Sequence, residues 1–193
     1  MNNEILTNIN NLSFAKTCDR SDYQHKLFLY ILENSLEELK GKSLVEIGSY
    51  KGNTTNLLCD FGKKHGTTVH NIDPWINHGG SPEVYQSFIE NTRHQTNLHT
   101  HKVSSTSEEA KNVFKENDFY FAYLDGCHMY DYCKSDIALV DTYCKSGTIA
   151  CVDDYNIPDI KQAIRDCMKT FDIIPVDIYP EDYHKEFIFI RKK

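Results

Sequence analysis

No apolar run in the chain approaches the ~20 residues needed to cross a bilayer. The opening MNNEILTNINN has neither the basic start nor the apolar centre of a signal peptide. Such a sequence reads as cytoplasmic, with no membrane partner. Positive charge is also scarce: 21 Lys and Arg face 28 Asp and Glu, a formal net charge of -7. That balance argues against a general affinity for nucleic acid or anionic membrane. The seven cysteines (18, 59, 127, 133, 144, 151 and 167) are odd in number and lack paired CxxC spacing. Neither a disulfide framework nor a zinc site is indicated, and reduced thiols filling small core positions fit better. Linkers, repeats and low-complexity tracts are missing too. What is present is ordinary: 40% hydrophobic, 12% aromatic and 25% charged residues over a length of 193. That length supports one domain with a real core and is too short for two. Small-molecule chemistry is the class these limits favour.

The order of elements follows from periodicity. SDYQHKLFLYILENSLEELKG places Ser21 and Gln24 at capping-box spacing, then repeats apolar residues at Phe28, Ile31, Leu32, Leu36 and Leu39, which predicts an amphipathic helix. SLVEIG is a short strand running into glycine, and NTTNLLCDFGKKHG a helix bounded by Gly52 and Gly66. TVHNID is a second strand. A loop and a helix capped by Ser81, with Pro82 at its first position, follow. LHTHKV is a weak third strand, and Thr106 with Glu109 suggests the cap of the next helix, through Val113 and Phe114. FYFAYLDG and TIACVDD are apolar on both faces, as central parallel strands are. Between them a helix carries Ile137 and Val140 and stops at Gly147, and another covers PDIKQAIRDCMKTF. IIPVDIY and EFIFIRKK lack a long crossover, which predicts an antiparallel pair at the end of a parallel sheet. The fold class is α/β: one doubly wound, Rossmann-like sandwich over 1–193, with a mostly parallel seven-stranded sheet and an antiparallel strand near the C-terminus.

In such sheets ligands bind beyond the carboxyl ends of the strands. The first strand ends EIGSYKGNTT. Gly48 and Gly52 allow a tight turn and close approach of a ligand, with Glu46 at the edge and Ser49 and Tyr50 within the turn. A dinucleotide fingerprint needs G-x-G-x-x-G, whereas this turn has only G-x-x-x-G preceded by an acid. The bland alternative is a plain strand-to-helix turn. The second strand ends NIDPW. Asp73 lies where a ribose-binding carboxylate belongs, or forms a turn before Pro74. Trp75 either packs near an adenosyl group or is simply buried. Ser105, after the third strand, can hydrogen-bond a base or cap a helix.

Asp125 follows the fourth strand, and Asp153 and Asp154 follow the fifth. Three like charges at one cleft repel unless protons or a cation neutralise them. Oxygen donors favour magnesium, calcium or manganese over zinc. Asp125, Asp153 and Asp154 are therefore the candidate metal ligands, with Mg2+ or another hard divalent cation as the metal. Taken singly, each could be a helix cap or a solvated loop acid.

VEIGSYKGNTT, NIDPW and YLDGCHMYDYCKSDIALVDTYCKSGTIACVDDY, in this order, resemble the class I S-adenosylmethionine-dependent methyltransferases. More closely, they resemble the metal-dependent O-methyltransferases of macrolide and aminocoumarin sugars, over residues 43–156. The resemblance implies that Glu46, Gly48 and Asp73 hold S-adenosylmethionine, with Ser49, Tyr50, Gly52, Trp75, Ser105 and Asp125 around it. It also implies that Asp125, Asp153 and Asp154 bind magnesium. Several relatives carry an acid as base where this chain has Cys127. A thiol replaces a carboxylate poorly, so His128 becomes the candidate base beside Asp125, unless it is a structural histidine. A Cys127–His128 nucleophile is disfavoured, because adjacent side chains usually diverge.

The expected reaction is methyl transfer to a hydroxyl of a small molecule such as a sugar or other metabolite. Residues 74–95, with NHGG, are the expected lid and acceptor segment, and 1–20 an extension or second lid. Assembly into a homo-oligomer stays open. Two other readings remain, a nucleotide-dependent oxidoreductase and a cofactor-binding scaffold that has lost its chemistry.

Overall fold

The computed structural model describes residues 29–34, 36–77, 79–174 and 187–193. The expected extension 1–20, the Ser21–Gln24 capping box, Phe28, His78 of the NHGG segment and the stretch 175–186 lie outside the described residues. Helical residues 29–33 precede α1 (Leu36–Leu39). The single helix expected here is interrupted at Asn34, whose main-chain and side-chain N–H groups both donate to the carbonyl of Tyr30. Ile31, Leu32 and Leu39 are buried on the face the spacing predicts.

Seven strands form one sheet in the order β3-β2-β1-β4-β5-β7-β6. They are β1 (Ser43–Ile47), β2 (Thr68–Ile72), β3 (Leu98–His101), β4 (Phe119–Leu124), β5 (Ile149–Val152), β6 (Phe171–Ile174) and β7 (Ile188–Lys192). The first five pair in parallel, and β7 runs antiparallel to both β5 and β6. The expected antiparallel pair is therefore present, with the last strand inserted between β5 and β6. The remaining helices are α2 (Asn53–His65), α3 (Pro82–Thr92), α4 (Glu108–Glu116), α5 (Tyr130–Tyr143) and α6 (Pro158–Cys167). Every residue of β4 and β5 is buried, because apolar clusters cover both faces of the sheet. None of the described helices is long and apolar enough to cross a membrane.

Boundaries differ from expectation in three places. The cap of α4 is Ser107, which accepts from the N–H of Ala110, and neither Thr106 nor Ser105 takes that place. The helix α5 ends at Tyr143, before the turn containing Gly147. Phe171 begins β6 rather than closing α6, and it is buried. Apolar periodicity alone does not separate the end of a short helix from the start of a strand.

Candidate active site

The backbone ladder continues past the strand ends and aligns the residues that follow them. Gly48 N–H donates to Ile72 O at 3.0 Å, Asp125 N–H to Ile47 O at 2.8 Å and Asp153 N–H to Leu124 O at 2.9 Å. The four loops after β1, β2, β4 and β5 thus open on one side. They share a cavity of about 560 Å³, within the size range of small-molecule sites. Gly48 makes this closeness possible. Its φ is +85°, and a Cβ there would lie 2.0 Å from the carbonyl oxygen of Asp125.

On the β1–β2 side the polar groups hold one another. Asp73 Oδ2 accepts from the N–H groups of Ser49 (2.9 Å) and Tyr50 (3.0 Å), and its Oδ1 accepts from Trp75 N–H at 2.7 Å. The carboxylate thereby fixes the glycine turn, including Tyr50 at φ 46° and Trp75 at φ 49°. Glu46 is fully buried. Its Oε2 accepts from Ser49 Oγ at 2.9 Å and Thr55 Oγ1 at 2.5 Å, while Oε1 has no partner. Burial pushes its carboxyl up to about 8, against the opposing pull of the Thr55 and Ser49 hydroxyls. Trp75 is 1% exposed. Its ring packs on Tyr85 and Phe88, and its Nε1–H donates to Tyr50 O at 2.8 Å. Trp75 is thus buried and also lines the cavity, its indole acting as a strut beneath the turn.

On the β4–β5 side the acids meet. One donor atom each from Asp125, His128 and Asp154 lies within 4.8 Å of the others, a spacing that could hold a metal ion. His128 Nε2 is 3.0 Å from Asp154 Oδ2 and 3.6 Å from Asp125 Oδ1. Asp153 stands differently. Its Oδ2 accepts from the hydroxyl of Tyr123 at 2.7 Å and its Oδ1 from Asp154 N–H at 2.8 Å. Asp154 itself has φ 50°, a left-handed backbone that turns its side chain away from the strand line. Burial raises Asp125 to about 6, with Asp153 and Asp154 adding to the shift and His128 opposing it. The same carboxylates, Asp125 foremost, raise the pKa of His128.

Of the residues singled out in the sequence, Glu46, Gly48, Ser49, Tyr50, Asp73, Trp75, Ser105, Asp125, Asp153 and Asp154 line the one cavity, as does Cys127. Gly52 and His128 do not. Gly52 caps α2 and lets it approach α3, since a Cβ there would lie 2.7 Å from Thr92 Cγ2. His128 lines a smaller pocket behind the acids. Three polar residues escaped the sequence reading: Thr55 beneath Glu46, Tyr123 beside Asp153, and Asp136 on the buried face of α5. Asp136 had a legible signal, a carboxylate in register with Cys133, Ile137 and Val140. Tyr123 had none, because a tyrosine in an apolar strand is ordinary.

Comparison with known proteins identifies the family and the fold. Residues 45–155, more than half the chain, match a family model described as a methyltransferase domain. No curated protein matches the sequence. Among solved structures, the chain is similar to CalS11, a TDP-rhamnose 3'-O-methyltransferase of calicheamicin biosynthesis (12% identity; 98% of this chain and 93% of that one; TM-score 0.63). It is also similar to an O-methyltransferase from Bacillus cereus in complex with SAH (14% identity; 100% and 92%; TM-score 0.64). A third is the O-methyltransferase NovP (15% identity; 86% and 79%; TM-score 0.58). At these identities the likeness establishes a shared fold.

Proposed function

The chain belongs to the methyltransferase-domain family, and from that premise we propose that it is an S-adenosylmethionine-dependent O-methyltransferase acting on a small hydroxylated molecule such as a sugar. It works as one domain, with a hard divalent cation such as Mg2+ at the acid end of the cavity. The observation that carries this reading is the joining, in one cavity, of a carboxylate-braced glycine turn and a convergent acid cluster.

The residues fit both groups. The turn has no third glycine for a pyrophosphate, which suits a cofactor without one. Asp73 Oδ1 takes one N–H in the structure and keeps acceptor capacity for a ribose hydroxyl. Asp125 and Asp154 offer oxygen donors of the kind hard cations prefer, with Asp153 beside them. When bound, the sulfonium supplies an electrophilic methyl and the cation a Lewis acid that eases loss of a proton from the acceptor hydroxyl.

The chain's own contribution is alignment. Gly48 and Asp73 set the turn, Tyr123 fixes Asp153, and the loop through Ile76, Asn77 and Gly80 lines the mouth of the cavity as lid and acceptor wall. His128 Nε2 lies between Asp125 and Asp154, whose carboxylates favour its protonated form. Acting as base would require it to reach an acceptor past those carboxylates, because it does not line the main cavity.

The test is calorimetric titration with S-adenosylhomocysteine and with NAD, followed by methyl transfer to a panel of sugars and phenols with and without Mg2+. Binding of S-adenosylhomocysteine and metal-stimulated product are expected. Binding of NAD alone would establish the oxidoreductase reading instead. Cofactor binding with no product across the panel would leave a scaffold, for which the thiol at Cys127 is the motivating residue.

A further inference from the structure

Asp153 and Asp154 are neighbours in the chain, yet the protein engages them differently. Both oxygens of Asp153 are taken: Oδ2 accepts from the hydroxyl of Tyr123 at 2.7 Å and Oδ1 from the main-chain N–H of Asp154 at 2.8 Å. Tyr123 is 2% exposed and belongs to β4, every residue of which is buried, so its hydroxyl is a fixed anchor. The carboxylate of Asp153 therefore ties β4 to the main chain of Asp154. That is the residue whose φ of 50° turns the chain out of the line of β5.

Turned in this way, Asp154 brings Oδ2 to 3.0 Å from His128 Nε2, and the same nitrogen is 3.6 Å from Asp125 Oδ1. The group whose donor atoms all lie within 4.8 Å of one another is Asp125, His128 and Asp154, without Asp153. Donors held ~2.1 Å from one ion stand ~3.0 Å apart at a right angle and ~3.6 Å apart at ~120°. A single N–H on His128 would satisfy only the nearer carboxylate, because 3.6 Å exceeds hydrogen-bond length. One cation reaches both. His128 also stands outside the main cavity and lines the small pocket behind the acids, a place that suits a ligand better than a base facing an acceptor.

We propose that Asp125, His128 and Asp154 hold the cation, while Asp153, anchored by Tyr123, is a positioning residue that sets Asp154 for it. The proposal rests on the metal reading of the acid end of the cavity. It replaces two adjacent aspartates that ligate together by one ligand and its brace. An imidazole nitrogen among carboxylate oxygens moves the preference of the site away from Mg2+ and Ca2+ toward first-row transition ions such as Mn2+ and Zn2+.

The test uses the full chain loaded with Mn2+, read by pulsed electron paramagnetic resonance and by calorimetric titration, and it needs no methyl acceptor. Coupling of the Mn2+ spin to a nitrogen nucleus is expected in the parent and should be lost in His128→Gln, whose Mn2+ affinity should fall ~10-fold or more. The ratio of Zn2+ to Mg2+ affinity should fall in the same variant by ~10-fold, because the transition ion loses its preferred donor. Asp154→Asn should weaken Mn2+ by ~10-fold or more, whereas Asp153→Asn, whose amide keeps contact with both Tyr123 and the Asp154 N–H, should weaken it by ~3-fold at most. Tyr123→Phe removes the anchor alone and should weaken Mn2+ by ~5-fold with the nitrogen coupling retained. Mn2+ bound without nitrogen coupling, coupling that survives in His128→Gln, or equal losses in Asp153→Asn and Asp154→Asn would each overturn this proposal and leave the metal reading standing. Failure of the parent to bind Mn2+ or Zn2+ overturns both together.

Discussion

The two sides of the cavity handle negative charge in opposite ways. Beside β1 and β2, Asp73 receives three backbone N–H groups and Glu46 two hydroxyls. The protein itself completes that side. Beside β4 and β5, burial and the neighbouring Asp153 and Asp154 raise the cost of ionising Asp125, and a half-exposed imidazole stands between Asp125 and Asp154. Acids held together in this way are poised for a proton or a cation. One side is a finished cradle and the other an unfinished charge balance, which is the division expected if a cofactor rests on the first and a metal on the second.

The sharpest way to break the comparison is to force the two sides apart. Gly48 belongs to the first side and touches the second, its missing Cβ lying 2.0 Å from the carbonyl oxygen of Asp125 at φ +85°. Gly48→Ala cannot be accommodated without moving backbone. The expected loss is ~3 kcal/mol or more, which lowers the thermal midpoint by ~6–12 °C for a chain of this size. Binding of S-adenosylhomocysteine should be lost with it. A midpoint within a degree of the parent, measured by differential scanning calorimetry, would mean that the two loops are not in contact.

A smaller effect tests the division itself. Asp73→Ala leaves the N–H groups of Ser49, Tyr50 and Trp75 without their acceptor, and should weaken S-adenosylhomocysteine binding by ~10-fold or more. Binding of Mn2+ should change little. Asp154→Ala should do the reverse, weakening Mn2+ at least ~10-fold while leaving the cofactor analogue within threefold. Titration of both variants with both ligands gives four affinities. Equal losses along either row would collapse the two sides into one.

The two sides were also unequally legible. Glycines, Asp73 and the three acids announce themselves because each is a residue type with few reasons to follow an apolar strand, and the strand ends of an α/β sheet tell where to look. All of these except Gly52 line one cavity. What the chain order hides is rotation about single bonds. Asp153 and Asp154 are adjacent, yet one turns to Tyr123 and the other, at φ 50°, turns to His128. No spacing rule distinguishes them. Gly52 is ambiguous for a similar reason: its lack of a side chain serves helix packing on Thr92 and Phe88, and sequence shows only that something must come close. The sheet was readable through its apolar runs, but the insertion of β7 between β5 and β6 depends on long-range pairing that local pattern does not encode.

The smallest expected effect concerns a buried atom on the first side that lacks a partner. Glu46 Oε1 is buried and unbonded, while Oε2 takes both hydroxyls. That asymmetry is what a protonated carboxyl would show, with the proton on Oε1. Burial, opposed by the hydroxyls and assisted by Asp125 and Asp73, raises the folded-state value from an ordinary 4.5 to about 8. Between those values the folded chain keeps a proton that the unfolded chain has released. The stability associated with Glu46 is therefore fully present below pH 4.5 and declines as pH rises toward 8. Glu46→Gln retains the acceptor oxygen and removes the titration. Its thermal midpoint should match the parent near pH ~4 and exceed it by ~3 °C or more near pH ~8. The contrast isolates Glu46, because the other raised groups titrate in both proteins. A constant difference across that range would show Glu46 ionised in the fold, and the first side of the cavity would then carry an uncompensated charge of its own.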